Sequence, residues 1–375
     1  MKNLFYKFFS LIFILCRFFK VKDGRVALLS PHNAGFHDSL GEVAKALEEK
    51  GGFEIKYING QDLKSFSKAL RFFTVNAFYL ATSKYIFMND NFMPMADLNF
   101  AKDAVITQLW HAEGAFKKFS LSVSQTERVR NRVIEGNKKL TYVICSSPNI
   151  VTIYAEAFGV ERCQVLPLGS PRTDYFFENH DLDAVREKFD TAYPECRGKK
   201  LILYAPTFRD DPREDEKLLE SFDFKKFNIE FGDEYALLLR LHPQIHSANQ
   251  KADGATDVTC YPNVSELILL CDLLITDYSS ICMDFALLNK PSCFYAFDLE
   301  SYEESRQFYF DYEEYVPGAV AKSFNELIQI IKSENFKTEK AENFRLFNFG
   351  NADGKATQRV VEKVLNESKI SPDDA

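Results

Sequence analysis

LLITDYSSICMDFALLNKP, residues 273–291, reads as a buried strand that delivers two hydroxyls to the start of a helix. Leu273 to Thr276 form a short apolar, β-prone run. Ser279 and Ser280 stand where a helix N-cap is favoured, the spacing from Ile281 to Asn289 is helical, and Pro291 stops it. Free N–H groups at a helix start, with serine hydroxyls beside them, make an anion site. In α/β folds a strand, a tight turn and a helix at the carboxyl edge of a parallel sheet is where nucleotide phosphates are held. An ordinary capped helix has the same local pattern, so the reading turns on the other strand ends.

Four more segments of this kind follow the same plan. LILYAPTFRDD places Pro206, Thr207 and Arg209 after an apolar strand, and ALLLRLHP places Arg240 and His242 after another. YPNVSELILLCD opens a helix with Ser265 and Glu266, and LPLGSPRTDYF sets Arg172 in a Gly/Pro turn. Polar groups converging from successive strand ends are what a pocket requires. In the first half, His111 follows a buried strand at 105–109 and precedes a small turn, Ala112, Glu113, Gly114 and Ala115. Histidine titrates nearest to working pH, so His111 and His242 are the acid–base candidates, one in each half. A histidine at a strand end is also often only a hydrogen-bonded edge residue.

Strands are expected at 25–30, 53–58, 85–88 and 142–145, and helices at 39–50, 63–76, 125–132 and from near Ser147 to Gly159. Alternating strands and helices imply parallel sheets. Two such sets, joined by a turn-rich stretch around 169–178, predict an α/β fold of two Rossmann-like domains. A chain of 375 residues is long enough for two ordinary domains, and 46% hydrophobic and 27% charged residues suit a globular protein. A net charge of -8 and no broad basic stripe argue against nucleic acid. The eight cysteines include no C-x-x-C pair and read as small buried hydrophobes in a reducing cytosol.

The motifs WHAEGAFKKF (110–119), GSPRTD (169–174), LYAPTFRDD (203–211), LLRLHP (238–243), SEL (265–267), TDYSS with DFALL and KP (276–291) and FYFDYEEYVPG (308–318) together resemble one family, covering roughly 100–345. That family is the CDP-glycerol glycerophosphotransferases of teichoic acid and capsule synthesis. The resemblance implies a GT-B type fold, two facing Rossmann-like domains with the active site in the cleft. The expected organisation is a membrane-association segment over 1–20, an acceptor domain over 21–172, a CDP-polyol domain over 173–349, and a C-terminal helix with a polar tail over 350–375.

It implies His111 as general base and His242 as a histidine near the donor phosphates. Arg172, Thr207, Arg240, Ser279 and Ser280 match positions lining the CDP-polyol site, Glu266 one suited to ribose hydroxyls, and Asp284 a position one turn into the phosphate helix. The turn Ala112, Glu113, Gly114 and Ala115 and the neighbouring Pro206 and Ser265 are grouped with the donor site. Arg209 is added on chemical grounds, as a phosphate partner or equally as the salt-bridge partner of Asp210 or Asp211. The departure is AEGA where polymerases of the family usually have GTPL, and the short chain is more like the family's primases.

The implied reaction moves glycerol phosphate, or a related polyol phosphate, from CDP-glycerol to a hydroxyl of a polyprenyl-linked glycan, releasing CMP. A nucleotide-sugar GT-B glycosyltransferase and a non-catalytic membrane assembly subunit are the alternatives. No P-loop or dinucleotide fingerprint occurs. The D-x-D at 181–183 lies in a charged stretch, so no metal site is assigned; charge neutralisation falls to arginine, hydroxyls and the helix start, with a divalent cation optional. MKNLFYKFFSLIFILCRFFK (1–20) has too short an uncharged core to span a bilayer and is flanked by Lys2, Lys7, Arg17 and Lys20. It is expected to lie in an anionic membrane interface on the cytoplasmic face, or else to pack on the protein's own core or on a partner, with a signal anchor as the third reading.

Overall fold

The computed structural model describes residues 2–31, 36, 38–59, 70–209, 211–241 and 252–366. His242 therefore lies outside the described residues, as do parts of the expected helix at 63–76. The chain forms two compact units, Met1–Phe177 with Asn348–Ala375, and Glu178–Phe347.

In the first unit β1 (Lys22–Ser30), β2 (Glu54–Asn59), β3 (Ser83–Met88), β4 (Val105–Gln108), β5 (Tyr142–Ile144) and β6 (Val165–Leu166) make a parallel sheet of order β2-β1-β3-β4-β5-β6. In the second, β7 (Lys200–Ala205), β8 (Tyr235–Leu239), β9 (Thr256–Asp257), β10 (Leu273–Thr276), β11 (Ser292–Tyr295) and β12 (Ala319–Ala321) are also parallel, in the order β12-β11-β10-β7-β8-β9. The central strands are continuous apolar runs because helices cover both faces, as parallel sheets require. The strand order reverses between β1 and β3 in one sheet and between β7 and β10 in the other. Crevices at such reversals, beyond the carboxyl strand ends, are where open α/β sheets bind ligands.

The helix Lys2–Cys16 packs on the first unit with one face and leaves the other uncovered. Phe9 and Phe13, one turn apart, are fully buried; Phe9 stacks on Phe72 at 5.2 Å and Phe13 meets Phe100 edge-on at 5.1 Å. Ser10 donates to the Asp97 carbonyl at 2.7 Å, and Arg17 donates to those of Asn99 and Ala81. Phe8, Leu11, Ile14, Leu15, Phe18 and Phe19 are exposed. Among the described residues no helix is long and apolar enough to cross a membrane.

The helix Ala356–Asn366 belongs with the first unit, where Val360, Val361, Val364 and Leu365 join the core of β1, β3 and the helix Ser39–Lys50. The GSPRTD segment receives it. Asp174 accepts from the amides of Ala356 at 3.0 Å and Thr357 at 2.7 Å, satisfying two N–H groups at the helix start. Gly169 has φ 93°, and a Cβ there would lie 2.7 Å from that of Ala356, so only glycine allows the approach.

Candidate active site

His111 sits just beyond β4, with β3 alongside. Its approach is turned by Trp110, whose φ of 60° is sterically costly for a bulky residue. The Gln108 side chain accepts from the Trp110 amide at 3.0 Å, and the indole packs on Phe119 and Phe158. The histidine ring lies against the indole at 4.3 Å between centroids. Its Nδ1 is 3.3 Å from the Asn89 carbonyl, which can only accept, so in the neutral ring Nδ1 carries the hydrogen and Nε2 is the acceptor. Asp90 Oδ2 stands 3.5 Å from the same Nδ1. The ring is half exposed, with its acceptor nitrogen suited to take a proton from a hydroxyl. Asn89 and Asp90 carry no signal in the sequence that would single them out.

The turn after His111 is held from beneath. Tyr154 donates to the Ala112 carbonyl, the Gly114 amide donates to Ser146 Oγ, and the Ala115 amide donates to the fully buried Asn348 side chain. Glu113 is buried and paired with Arg172, whose Nε donates to Oε1 at 2.9 Å; Ser170 donates to the same oxygen. Burial opposes ionisation of Glu113, but the Arg172 charge and these hydrogen bonds outweigh it and hold the carboxyl below its ordinary value. Arg172 and Glu113, grouped with the donor site from the sequence, thus meet each other within the first unit. GSPRTD is legible as a motif, but its distant partners are not.

In the second unit the loops after β7 and β10 flank the reversal of strand order. Pro206 and Thr207 follow β7 directly. The Thr207 amide donates to Asp277 Oδ1 at 2.8 Å, whereas its Oγ1, buried, finds no partner among the described residues. Ser279 accepts from the Ile281 amide at a long 3.4 Å. Ser280 is exposed and occupies the N-cap of the helix Ile281–Leu287, but in helical conformation and without a capping bond. The helix is two residues shorter than expected, ending before Asn289, whose φ is 53°. Asp284 is buried within it. Arg240 follows β8, where its Nη1 donates to the Val258 and Tyr261 carbonyls at 2.9 and 3.0 Å. No carboxylate pairs with it among the described residues, and burial pulls its guanidinium below the ordinary value.

Two assignments change. Arg209 does not pair with Asp211, which binds Arg213, and Asp210 lies outside the described residues. Arg209 is buried and bound to Asp277 and Asp298, so its charge is committed. The helix Val264–Leu270 is opened by Asn263, which caps the amides of Ser265 at 3.0 Å and Glu266 at 3.4 Å. Glu266 accepts from Tyr261 Oη at 2.6 Å and pairs with Lys188 at 3.0 Å. Burial raises its pKa, and these partners more than offset that. The lysine of KP, Lys290, donates to the carbonyls of Ile268, Leu269 and Cys271 and closes that helix's carboxyl end.

The family model of CDP-glycerol:poly(glycerophosphate) glycerophosphotransferase matches residues 11–366. A teichoic acid poly(ribitol-phosphate) polymerase of Bacillus spizizenii is 38% identical over 336 residues, 88% of this chain and 54% of its own length. Thus the chain spans about half of that polymerase. A ribitol-phosphate primase of the same organism is 35% identical, covering 76% of this chain and 75% of the relative. Its glycerol-phosphate primase is 30% identical, covering 91% and 90%. Among solved structures, a histidine-to-asparagine variant of the wall teichoic acid polymerase TagF superposes with a TM-score of 0.79 at 22% identity, covering 97% of this chain and 93% of that one. The α/β fold with two parallel sheets is thus of the GT-B type seen in that polymerase.

Proposed function

Because this chain belongs to the CDP-glycerol:poly(glycerophosphate) glycerophosphotransferase family, we propose that it transfers a polyol phosphate from a CDP-polyol to a hydroxyl of a lipid-linked glycan acceptor and releases CMP. The observation that carries the reading is the set of unspent polar atoms on the loops after β7, β10 and β8, at and beside the reversal in the second sheet. Among the described residues Thr207 Oγ1 is buried without a partner, Ser280 makes no capping bond, and Arg240 is a partly buried cation that no carboxylate pairs. A buried orphan hydroxyl costs free energy unless something pairs with it, and an anionic diphosphate is a suitable partner for all three.

In the first unit His111 is the base. Nε2 takes the acceptor hydroxyl proton as oxygen attacks the β-phosphorus, while the Asn89 carbonyl and Asp90 hold the resulting imidazolium at Nδ1. The phosphorus–oxygen bond to CMP breaks in the same displacement. In the second unit Arg240 and the loop hydroxyls meet the charge left on the departing phosphate, the electrostatic part of phosphoryl transfer. A divalent cation bound with the diphosphate is compatible with this. The exposed apolar face of the helix Lys2–Cys16, with Lys7 and Arg17 beside it, supports a peripheral position on an anionic membrane at its cytoplasmic face.

The higher identities to ribitol-phosphate enzymes than to a glycerol-phosphate primase favour CDP-ribitol over CDP-glycerol as donor. The experiment is to supply both CDP-polyols with a polyprenyl-linked disaccharide, measure CMP, and weigh the lipid product. CMP with a product heavier by one or more polyol phosphates is expected. Turnover with a nucleotide sugar instead, or with none of these donors, would sink the proposal.

A further inference from the structure

Arg209 stands at the centre of a buried cluster that ties together three strand ends. Its guanidinium donates from Nε to Asp298 Oδ2 at 2.7 Å, from Nη2 to Asp298 Oδ1 at 3.0 Å and from Nη1 to the Thr207 carbonyl at 2.6 Å, and Nη2 lies 3.0 Å from Asp277 Oδ2. Three of the five N–H groups of an arginine thereby donate hydrogen bonds, and the contact with Asp277 is an ion pair. The residue is 5% exposed, and its charged carbon lies 5.1 Å from the Tyr278 ring and 5.0 Å from that of Tyr302. Those rings stack on each other at 3.7 Å. Tyr278 donates to Asp298 Oδ1 at 2.9 Å, and Tyr312, from the FYFDYEEYVPG motif, donates to the Asp277 carbonyl at 2.8 Å. Asp277 closes the arrangement by accepting from the backbone amides of both Thr207 and Tyr278.

Thr207 follows β7, Asp277 and Tyr278 follow β10, and Asp298 follows β11, three strands that are neighbours in the sheet. Two carboxylates face one guanidinium here, so the cluster carries a net negative charge. Such a group repels a diphosphate and cannot be its counter-ion. A planar fork satisfied at both ends is suited to geometry, because it fixes the separation of the groups it bridges.

We propose that Arg209 is a positioning residue: through Asp277 and Asp298 it clamps the loop carrying the Thr207 hydroxyl to the loop carrying Ser279 and Ser280, and so sets the spacing of the groups that receive the donor diphosphate. The proposal rests on the reading of these loops as the CDP-polyol site. It assigns the specificity of that site to a clamp that does not touch the ligand.

Sign separates a clamp from a ligand. If Arg209 met phosphate directly, Asp298→Asn would free its fork and remove a competing negative charge, and the donor would bind more tightly. If Arg209 positions the loops, the same change loosens them and the donor binds more weakly, by about tenfold, the worth of one hydrogen bond to a charged group. Arg209→Lys keeps the charge and loses the fork, so a clamp loses affinity about as much as in Asp298→Asn, whereas a point-charge contact is largely kept. The measurement is calorimetric affinity for CDP-glycerol and CDP-ribitol on the full chain, with hydrogen exchange of the peptides covering 206–209 and 277–280 in the absence of any donor.

Weaker binding together with faster exchange in Asp298→Asn and Arg209→Lys is the expected result. Any other combination overturns the proposal, tighter binding most directly. If Asp298→Asn does not fold, Tyr278→Phe, which removes only the phenol bond to Asp298, gives the same signs at smaller size. A wild-type chain that binds neither CDP-polyol defeats the functional reading alone, and the exchange rates then decide the clamp.

Discussion

Two side chains carry separable parts of the proposed chemistry. His111 is oriented through Nδ1 by a backbone carbonyl, so replacing it removes a base without disturbing a buried network. His111→Ala is expected to lower turnover about 10²- to 10⁴-fold while leaving CDP-polyol affinity within about twofold. Single-turnover rates beside calorimetry check this; near-normal turnover would remove His111 from the reaction. Arg240 is the opposite case. Its Nη1 bonds to Val258 and Tyr261 hold it in place, and no carboxylate uses its charge among the described residues. Arg240→Ala should weaken donor binding by roughly 1.5–3 kcal/mol with a smaller change in the acceptor KM. Both residues were legible as polar groups at the end of an apolar strand. Arg209 has the same local signature, and only its distance to Asp298, 89 residues away, shows that its charge is already spent.

At the scale of elements, the amphipathic signal of the first helix is real but has two sides. Phe9 and Phe13 are packed into the first unit among Phe72, Phe92 and Phe100, so the segment is part of that unit's core as well as the bearer of an exposed apolar face. Phe9→Ala and Phe13→Ala are each expected to destabilise the protein by about 3–5 kcal/mol, read as a lowered denaturant midpoint. Deleting 1–20 should aggregate the chain, contrary to a free anchor. Leu11→Ser with Leu15→Ser, on the exposed face, should keep the midpoint and reduce binding to anionic vesicles. The first strand pair offers a pH test. Arg25 and Glu54 are register partners on β1 and β2, and hydrogen bonding to Arg25 and Lys56 holds the Glu54 carboxyl down to about 2 from 4.5. A depressed carboxyl stabilises the fold fully above its unfolded value and loses that contribution as pH falls through the folded one. Thermal midpoints of wild type and Glu54→Gln should therefore differ near neutral pH and converge as pH falls from about 4.5 to about 2. The difference will be modest, because the glutamate is partly exposed.

At the scale of the whole molecule, the chain leaves its first unit after Phe177 and returns at Asn348. The return segment is structural: Asn348 holds the Ala115 amide and accepts from Ser146 through its carbonyl, while Val360, Val361 and Val364 fill the core beside β1 and β3. Ending the chain at Phe347 removes three valines, each worth about 1.5–3 kcal/mol when buried, and should cost the first unit its cooperative unfolding transition. Retention of that transition would show the segment to be dispensable. Strand positions, the parallel alternation and the strand ends that carry polar groups could be read in the linear sequence, because apolar runs and turn residues are local and sheets buried on both faces leave a continuous pattern. The sequence by itself also determined the family, through motifs whose spacing is local. The partners of those motifs were decided by tertiary structure. GSPRTD meets both the His111 turn and a helix some 180 residues later, KP closes the helix Val264–Leu270 rather than the helix it directly follows, and Arg209 turns inward to two carboxylates. The physical reason is that a buried polar group must be paired, and which distant group pairs with it depends on where the strands bring it, not on its neighbours in the chain.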